Sequence, residues 1–280
     1  MKCRKCAHAQ DWKDMIKDIT IGQYYQAESI IHRLDPRVKL MGTLVFIISL
    51  FLGMNIWIYA FVTVALAAVI AISKIPLKFM VRGLKSIVIL IIISAVFNLF
   101  LTPGETLIQI WKLTITYEGL KTAIFMVVRL VYLILGTSLM TLTTTPNNLT
   151  DGLEKGLGFL KYIKVPVHEI AMMMSIALRF IPILVEETDK IMKAQMARGA
   201  DFENGNIIKR AKAMVPILVP LFVSAFRRAN ELAMAMEARC YHGSEGRTKM
   251  KPLKYAKRDK IAYLCMFAYI GVLILIKIFV

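Results

Sequence analysis

What this chain has little of narrows its function first. Cysteine occurs four times in 280 residues, at Cys3, Cys6, Cys240 and Cys265. That is too few and too scattered for a disulfide scaffold. Acidic residues number 19 against 36 Lys and Arg, and the long apolar runs are nearly free of them. A secondary carrier needs ion-binding groups at membrane depth and repeated halves; the first and second halves of this chain show no repeat. No phosphate-binding loop is present. The nearest stretch, "GSEGRT" at 243–248, has the wrong spacing and no Gly-Lys-Ser/Thr end, so ATP hydrolysis by this chain is not expected. His8, His32, His168 and His242 show neither catalytic nor metal-ligand spacing. Cys3-x-x-Cys6 with His8 lacks a second ligand pair nearby, so no metal site is assigned. No cluster of catalytic residues marks an enzyme, and no cleavable signal peptide is visible.

What is present is apolar surface and positive charge. Hydrophobic residues make up 57% of the chain and the mean hydropathy is +0.59, too high for an ordinary soluble domain of this length. A net charge of +17 would also suit a nucleic-acid binder. The charges are segregated from the apolar runs, however, which points to membrane topology and not to nucleic acid.

Five apolar runs approach the length of about 20 residues that crosses a bilayer. They cover 36–53, 56–72, 84–101, 120–142 and 261–280. Asp35 and Pro36 suit the N-cap and first turn of the first run. The first two runs are short, so they read as two full spans or as one bent hairpin. Basic residues flank alternate ends: Arg33, Arg37 and Lys39 before the first run, and Lys74, Lys78, Arg82 and Lys85 after the second. Another set, from Arg247 to Lys260, precedes the fifth. The 102–119 loop holds Glu105 and Glu118 against Lys112. The positive-inside rule then places the N-terminus and the 143–260 region in the cytoplasm. The expected architecture is an all-α membrane protein with about five spans. A cytoplasmic N-terminal segment occupies 15–35, spans one to four occupy 36–142, a cytoplasmic helical module occupies 143–248, and a basic linker with the fifth span occupies 249–280. The basic run at 247–260 also suits contact with anionic lipid.

Within the cytoplasmic module, Thr150 or Asp151 reads as the cap of a short amphipathic helix. A long helix follows over 167–198, kinked or restarted at Pro182. Gly199 suits a left-handed position after its end. A second long helix covers about 207–239, with kinks at Pro216 and Pro220. Ala225, Ala229 and Ala233 recur every fourth residue, a spacing at which small residues let helices cross closely; alanine is also simply a good helix former. Both helices end in Ala-Arg followed by a small residue: Ala197-Arg198-Gly199 and Ala238-Arg239-Cys240. A cation there complements the helix dipole. Small neighbours also leave a guanidinium free to enter a partner's groove and pair with a carboxylate. Arg129, in the fourth span, and Asn98, in the third, are intramembrane polar residues expected to pair inside the bundle or with a partner.

Three stretches then carry a family resemblance: "GQYYQAESIIHRLDPRVKL" at 22–40, "ALRFIPILVEETDKIMKAQMARGAD" at 177–201 and "ANELAMAMEARCYHGSEGRT" at 229–248. With five spans in order, the chain resembles the T component of energy-coupling-factor transporters, the EcfT/CbiQ family. The resemblance implies that the long helices are coupling helices crossing beneath the membrane. It also implies that Arg198 and Arg239 dock into two ABC-type ATPase subunits, the same or different, and that a small substrate-binding membrane subunit captures a vitamin or metal ion. On that reading ATP and Mg2+ belong to the partners, and this chain needs no cofactor. The second motif departs from the pattern, with Cys240 in place of glycine. Its helix is therefore expected to end differently, near Gly243. The resemblance starts near Met15, which makes residues 1–14 either a disordered extension or the product of an upstream start codon.

Overall fold

The computed structural model describes residues 24–53, 55–103, 106–110, 113–200, 207–243 and 252–279. The readings made of residues 1–14, of Cys3, Cys6 and His8, and of "GSEGRT" fall wholly or mostly outside the described residues. In chain order the elements are α1 (Pro36–Ser49), α2 (Ile56–Ser73), α3 (Leu77–Leu101), β1 (Thr106–Ile110), β2 (Leu113–Thr116), α4 (Tyr117–Thr143), α5 (Pro146–Gly156), a 3-10 turn (Gly158–Ile163), α6 (Val167–Ala197), α7 (Ile207–Ala238) and α8 (Lys257–Phe279). They fall into two compact units. One comprises Gly22–Gly156 with Leu253–Val280, and the other comprises Leu157–Pro252.

The first unit is the helical membrane body. Asp35 caps α1, its carboxylate accepting the Arg37 N–H at 2.9 Å, and Pro36 opens the helix. At 14 residues α1 spans roughly 21 Å, short of the ~30 Å hydrocarbon core. The regular helix is thus shorter than the apolar run expected over 36–53, and turns continue it to Leu52, the Phe51 and Leu52 N–H groups bonding the Ile48 and Ser49 carbonyls, before the chain turns into α2. Helices α2, α4, α6 and α8 are long and apolar enough to cross a membrane. So is α3, if its two parts are taken as one span. It bends by 61° between Leu77–Lys85 and Ile87–Leu101. The sequence places α6 in the cytoplasmic module; it qualifies on hydropathy because most of its charges lie toward its C-terminal end and leave its first part apolar.

α1 and α8 run side by side in the same direction. At their starts, the buried Asp259 carboxylate accepts the Asp35 N–H at 2.9 Å and the Ala256 N–H at 2.7 Å. Toward their ends, Ser49 Oγ and Tyr269 Oη share a hydrogen bond of 2.8 Å. Between α1, α2 and α8 lies the main apolar core of Leu50, Ile58, Tyr59, Val62 and Leu273. A smaller cluster of Ile75, Met80 and Leu142 joins α3 to the end of α4. The segment before α1 is tied to the same place. Tyr25 donates its N–H to the Leu142 carbonyl at 2.9 Å, and Lys39 Nζ bonds the carbonyls of His32 and Thr143 at 3.2 and 2.8 Å. His32 contacts Ser29 Oγ through Nδ1 at 2.7 Å and the Tyr25 carbonyl through Nε2 at 3.1 Å. Burial pushes its pKa below the ordinary imidazole value, and the nearby Lys39 charge acts in the same direction.

Two local features differ from the sequence reading. The 102–119 loop contains an antiparallel hairpin, β1 with β2, pairing Ile108 with Ile115 and Ile110 with Leu113. The β-branched residues of "TLIQI" and "LTIT" favour extended backbone. The short helix α5 starts at Pro146, not at Thr150 or Asp151, and both of those residues lie inside it. Thr145 Oγ1 accepts the Asn148 N–H at 3.4 Å instead, and proline fits the first helical position.

The second unit holds the 3-10 turn, α6 and α7. Both long helices continue through their prolines: Pro182 within α6, and Pro216 and Pro220 within α7. Among the described residues, Ala171 on α6 and Ile217 on α7 are the buried hydrophobic ones of this pair, too few to make a core by themselves.

Candidate functional site

The two helix ends picked out by the Ala-Arg repeat share one geometry. Arg198 is the C-cap of α6, its N–H reaching the Ala194 and Gln195 carbonyls. Gly199 follows with φ +90°, donating its N–H to the Met196 carbonyl at 3.0 Å, and the Ala200 N–H bonds the Gln195 carbonyl at 3.0 Å. These two bonds make a Schellman motif, in which left-handed backbone at one residue lets the chain turn back on the last carbonyls. At α7 the same bonds recur. The Cys240 N–H bonds the Glu237 carbonyl at 2.9 Å, and the Tyr241 N–H bonds the Met236 carbonyl at 3.1 Å.

Cys240 itself carries φ +54°. The second helix therefore ends at the same register as the first, and the expected displacement toward Gly243 is not seen. A left-handed conformation costs a non-glycine residue roughly 1–2 kcal/mol, so the matched cap forms against the preference of cysteine. At Gly199 an added Cβ would meet nothing within 4 Å; glycine is there for its φ alone. Arg198 and Arg239 are both exposed, with no ion pair among the described residues. Ala197 and Ala238 beside them are exposed too, so neither guanidinium is walled in by bulk.

What holds α6 to α7 lies away from those tips. Arg228 Nη2 donates to Glu187 Oε2 at 2.7 Å, and Gln195 Nε2 reaches the Pro216 carbonyl at 3.5 Å. Going back along α6 from Gln195 to Glu187 goes forward along α7 from Pro216 to Arg228, so the helices are antiparallel through this contact. The Pro216 carbonyl is available because Pro220, four residues on, has no N–H to give it. The Pro216-x-x-x-Pro220 spacing is the sequence signal for this contact, and sequence reasoning took it only as a pair of kinks. Ala225 is half-buried, whereas Ala229 and Ala233 are exposed; the recorded bonds between the helices run through other residues. Both helices leave large apolar side chains uncovered, among them Met173, Met174, Leu218, Phe222 and Phe226.

The two intramembrane polar residues behave differently. Arg129 is buried near the middle of α4, where Nε donates to Tyr59 Oη at 3.0 Å and the guanidinium lies 5.1 Å from the Phe51 ring centroid. These contacts join α4 to the α1–α2 corner. Asn98 turns back on its own helix, Nδ2 donating to the Ser94 carbonyl at 2.8 Å. An amide at that position finds a carbonyl one turn away before it needs a neighbouring helix.

A helical membrane body carried in one chain with two long helices of matched, arginine-tipped ends is the build of a transporter subunit that works through other subunits. Comparison with known proteins places it more closely: the chain belongs to the EcfT/CbiQ family of transmembrane components of energy-coupling factor transporters. The family profile described as "CbiQ: Cobalt transport protein" matches residues 27–250. The energy-coupling factor transporter transmembrane protein EcfT of Clostridium kluyveri is 57% identical over 267 residues, 94% of this chain and 98% of the relative. The protein of the same name from Thermosediminibacter oceani is 55% identical over 249 residues, 89% and 94% of the two chains. That from Bacillus subtilis is 49% identical over 246 residues, 88% and 93%. The chain is thus a multi-pass membrane protein and a non-catalytic coupling subunit of a bacterial transporter.

Proposed function

We propose that Arg198 and Arg239 are the two points at which this subunit engages two ABC-type ATPase chains, identical or different. ATP and Mg2+ are bound in those chains and not in this one. The single observation that carries the reading is the pair of caps closed by the same hydrogen bonds at the same register. Two helices of unlike sequence end with the same two reverse hydrogen bonds, and the second does so with a cysteine held at positive φ. A dipole-complementing cation needs no such match. Two copies of one receiving groove do.

The coupling module, roughly 143–248, then lies on the cytoplasmic side with the N-terminus, as the basic flanks favour. The parallel course of α1 and α8 supports this, since it puts the basic segment before α8 at the same end of the unit as the N-terminal flank. The hydropathy of α6 would permit a span. Its second half holds Glu186, Glu187, Asp189, Lys190 and Lys193, and charges at membrane depth are costly. The exposed apolar face of α6 and α7 is then available to a small substrate-binding membrane subunit that takes up a vitamin or metal ion. Drawing the two ATPases together on ATP binding moves both helix tips and, through them, that face. The basic linker at 249–260 contacts anionic lipid.

The test is solute uptake by cells carrying Arg198→Ala together with Arg239→Ala, at membrane abundance equal to the unaltered protein. Uptake should disappear while insertion persists. Normal ATP-dependent uptake by the double variant would sink the proposal.

A further inference from the structure

The membrane body carries a second polar feature, separate from the helix-end arginines. An open groove of about 440 Å3 is lined by Arg33, Lys74 and Arg258, with one carboxylate, Glu28, and with Ser29, Ile30, Ala71 and Ile72 beside them. The three cations come from three parts of the chain: the turn before α1, the C-cap of α2 and the first turn of α8. All three sit at one end of the helical unit, where α1 and α8 begin and α2 finishes. Arg33 pairs with Glu28 at 3.1 Å, but both side chains are largely exposed, so the pair is weak. Lys74 and Arg258 have no ion pair among the described residues. The backbone of Lys74 is left-handed, φ 56°, with its N–H on the Ala71 carbonyl. The apolar wall is as bare as the charges: Ile30 is 62% and Ile72 48% exposed.

Two free cations beside a bare aliphatic wall match a ligand that is anionic at one end and hydrocarbon at the other. Inorganic phosphate would satisfy the cations and leave the isoleucines uncovered. A phospholipid satisfies both, and helix ends of membrane spans lie at headgroup depth. We propose that this groove binds one anionic phospholipid, with its phosphate held by Lys74 and Arg258 and an acyl chain laid along Ile30, Ala71 and Ile72. This rests on the general lipid contact assigned above to the basic linker and deepens it, by joining one cation of that stretch, Arg258, to Lys74 at the end of α2 in a defined site.

The experiment uses the full chain, tagged and purified with its co-purifying subunits in mild detergent. Phosphatidylglycerol retained through stepwise delipidation is counted by native mass spectrometry. The Lys74→Gln/Arg258→Gln variant should retain about ten- to thirtyfold less than the unaltered protein. Lys254→Gln/Lys257→Gln, which removes the same charge from the linker and helix start, should retain nearly the full amount. Millimolar inorganic phosphate should displace none of it, and phosphatidylcholine should not replace it. Should the groove variant purify as an aggregate, Ile72→Ser keeps every cation and should lower retention of long-chain phosphatidylglycerol on its own. Equal losses in the groove and linker variants would overturn the site while leaving diffuse lipid contact intact. Displacement by inorganic phosphate would overturn the lipid assignment, and undiminished retention in the groove variants would overturn both.

Discussion

Cys240 is the most informative single residue, because its backbone disagrees with its side chain. It sits at φ +54° where the first helix end uses glycine. Cys240→Gly should therefore keep the cap and raise stability, by at most about 1 kcal/mol since glycine also frees the unfolded chain. Cys240→Val should lose the left-handed turn, at a cost of about 1–3 kcal/mol, and with it the presentation of Arg239. Thermal unfolding in detergent reports the first effect, and ATPase co-purification reports the second. If valine were tolerated in both measurements, the cap would have no role in holding the arginine. The arginines themselves should behave as binding anchors. Each single alanine change should weaken ATPase retention by about tenfold or more, and lysine should restore only part of it, because a point charge lacks the planar fork.

At the scale of elements, stability turns on close helix contacts in the membrane body. Gly152 on α5 faces Pro36, where an added Cβ would lie 2.8 Å from the proline Cβ and 3.3 Å from its carbonyl carbon. Glycine to alanine inside a helix ordinarily stabilises. Here neither partner can yield, so Gly152→Ala should destabilise by about 1–3 kcal/mol, read as a lower melting temperature. The segment before α1 adds a pH effect. An imidazole whose folded pKa lies below its unfolded value contributes stability that is fully present above the unfolded pKa and is lost as pH falls through the folded pKa. His32 is such a group. The melting temperature should fall from pH 7 to pH 5, and His32→Gln should shrink that fall; an unchanged slope would remove His32 from the account.

The same elements show what was legible beforehand. Asp35-Pro36 read correctly as a helix start because cap and proline chemistry are local. The long helices α6 and α7 were legible from periodicity, and α6 ends within a residue of its expected end, whereas the displaced end expected for α7 near Gly243 does not form. The hairpin was missed because the stretch 102–119 between two apolar runs, opening on Thr102-Pro103-Gly104, looked like a loop, although its β-branched Thr and Ile residues favour strands. The α5 start was misread because Thr145, Thr150 and Asp151 are all competent caps, and only tertiary packing against Pro36 decides among them. The length of α1 was invisible for a similar reason: the apolar run continues through Phe51 and Leu52 after the regular helix has ended. At the candidate site, the arginines were legible as a repeat. The identity of their two caps was not, since cysteine gives no sign of left-handed backbone.

At the scale of the whole molecule, the chain divides its chemistry in an orderly way. The membrane body closes its own core and pairs its buried arginine internally through Tyr59. The α6–α7 unit does the reverse, leaving its apolar faces and both arginines uncovered. A subunit built like this is incomplete alone, as the family of coupling components requires.

The most direct check is to tag this chain, extract it in mild detergent, and identify what co-purifies with it at stoichiometric amounts. The account predicts two chains with phosphate-binding loops and one small hydrophobic protein, with the ATPases lost when Arg198 and Arg239 are both alanine. A chain that purifies alone and monodisperse, or that keeps its ATPases without either arginine, would contradict it.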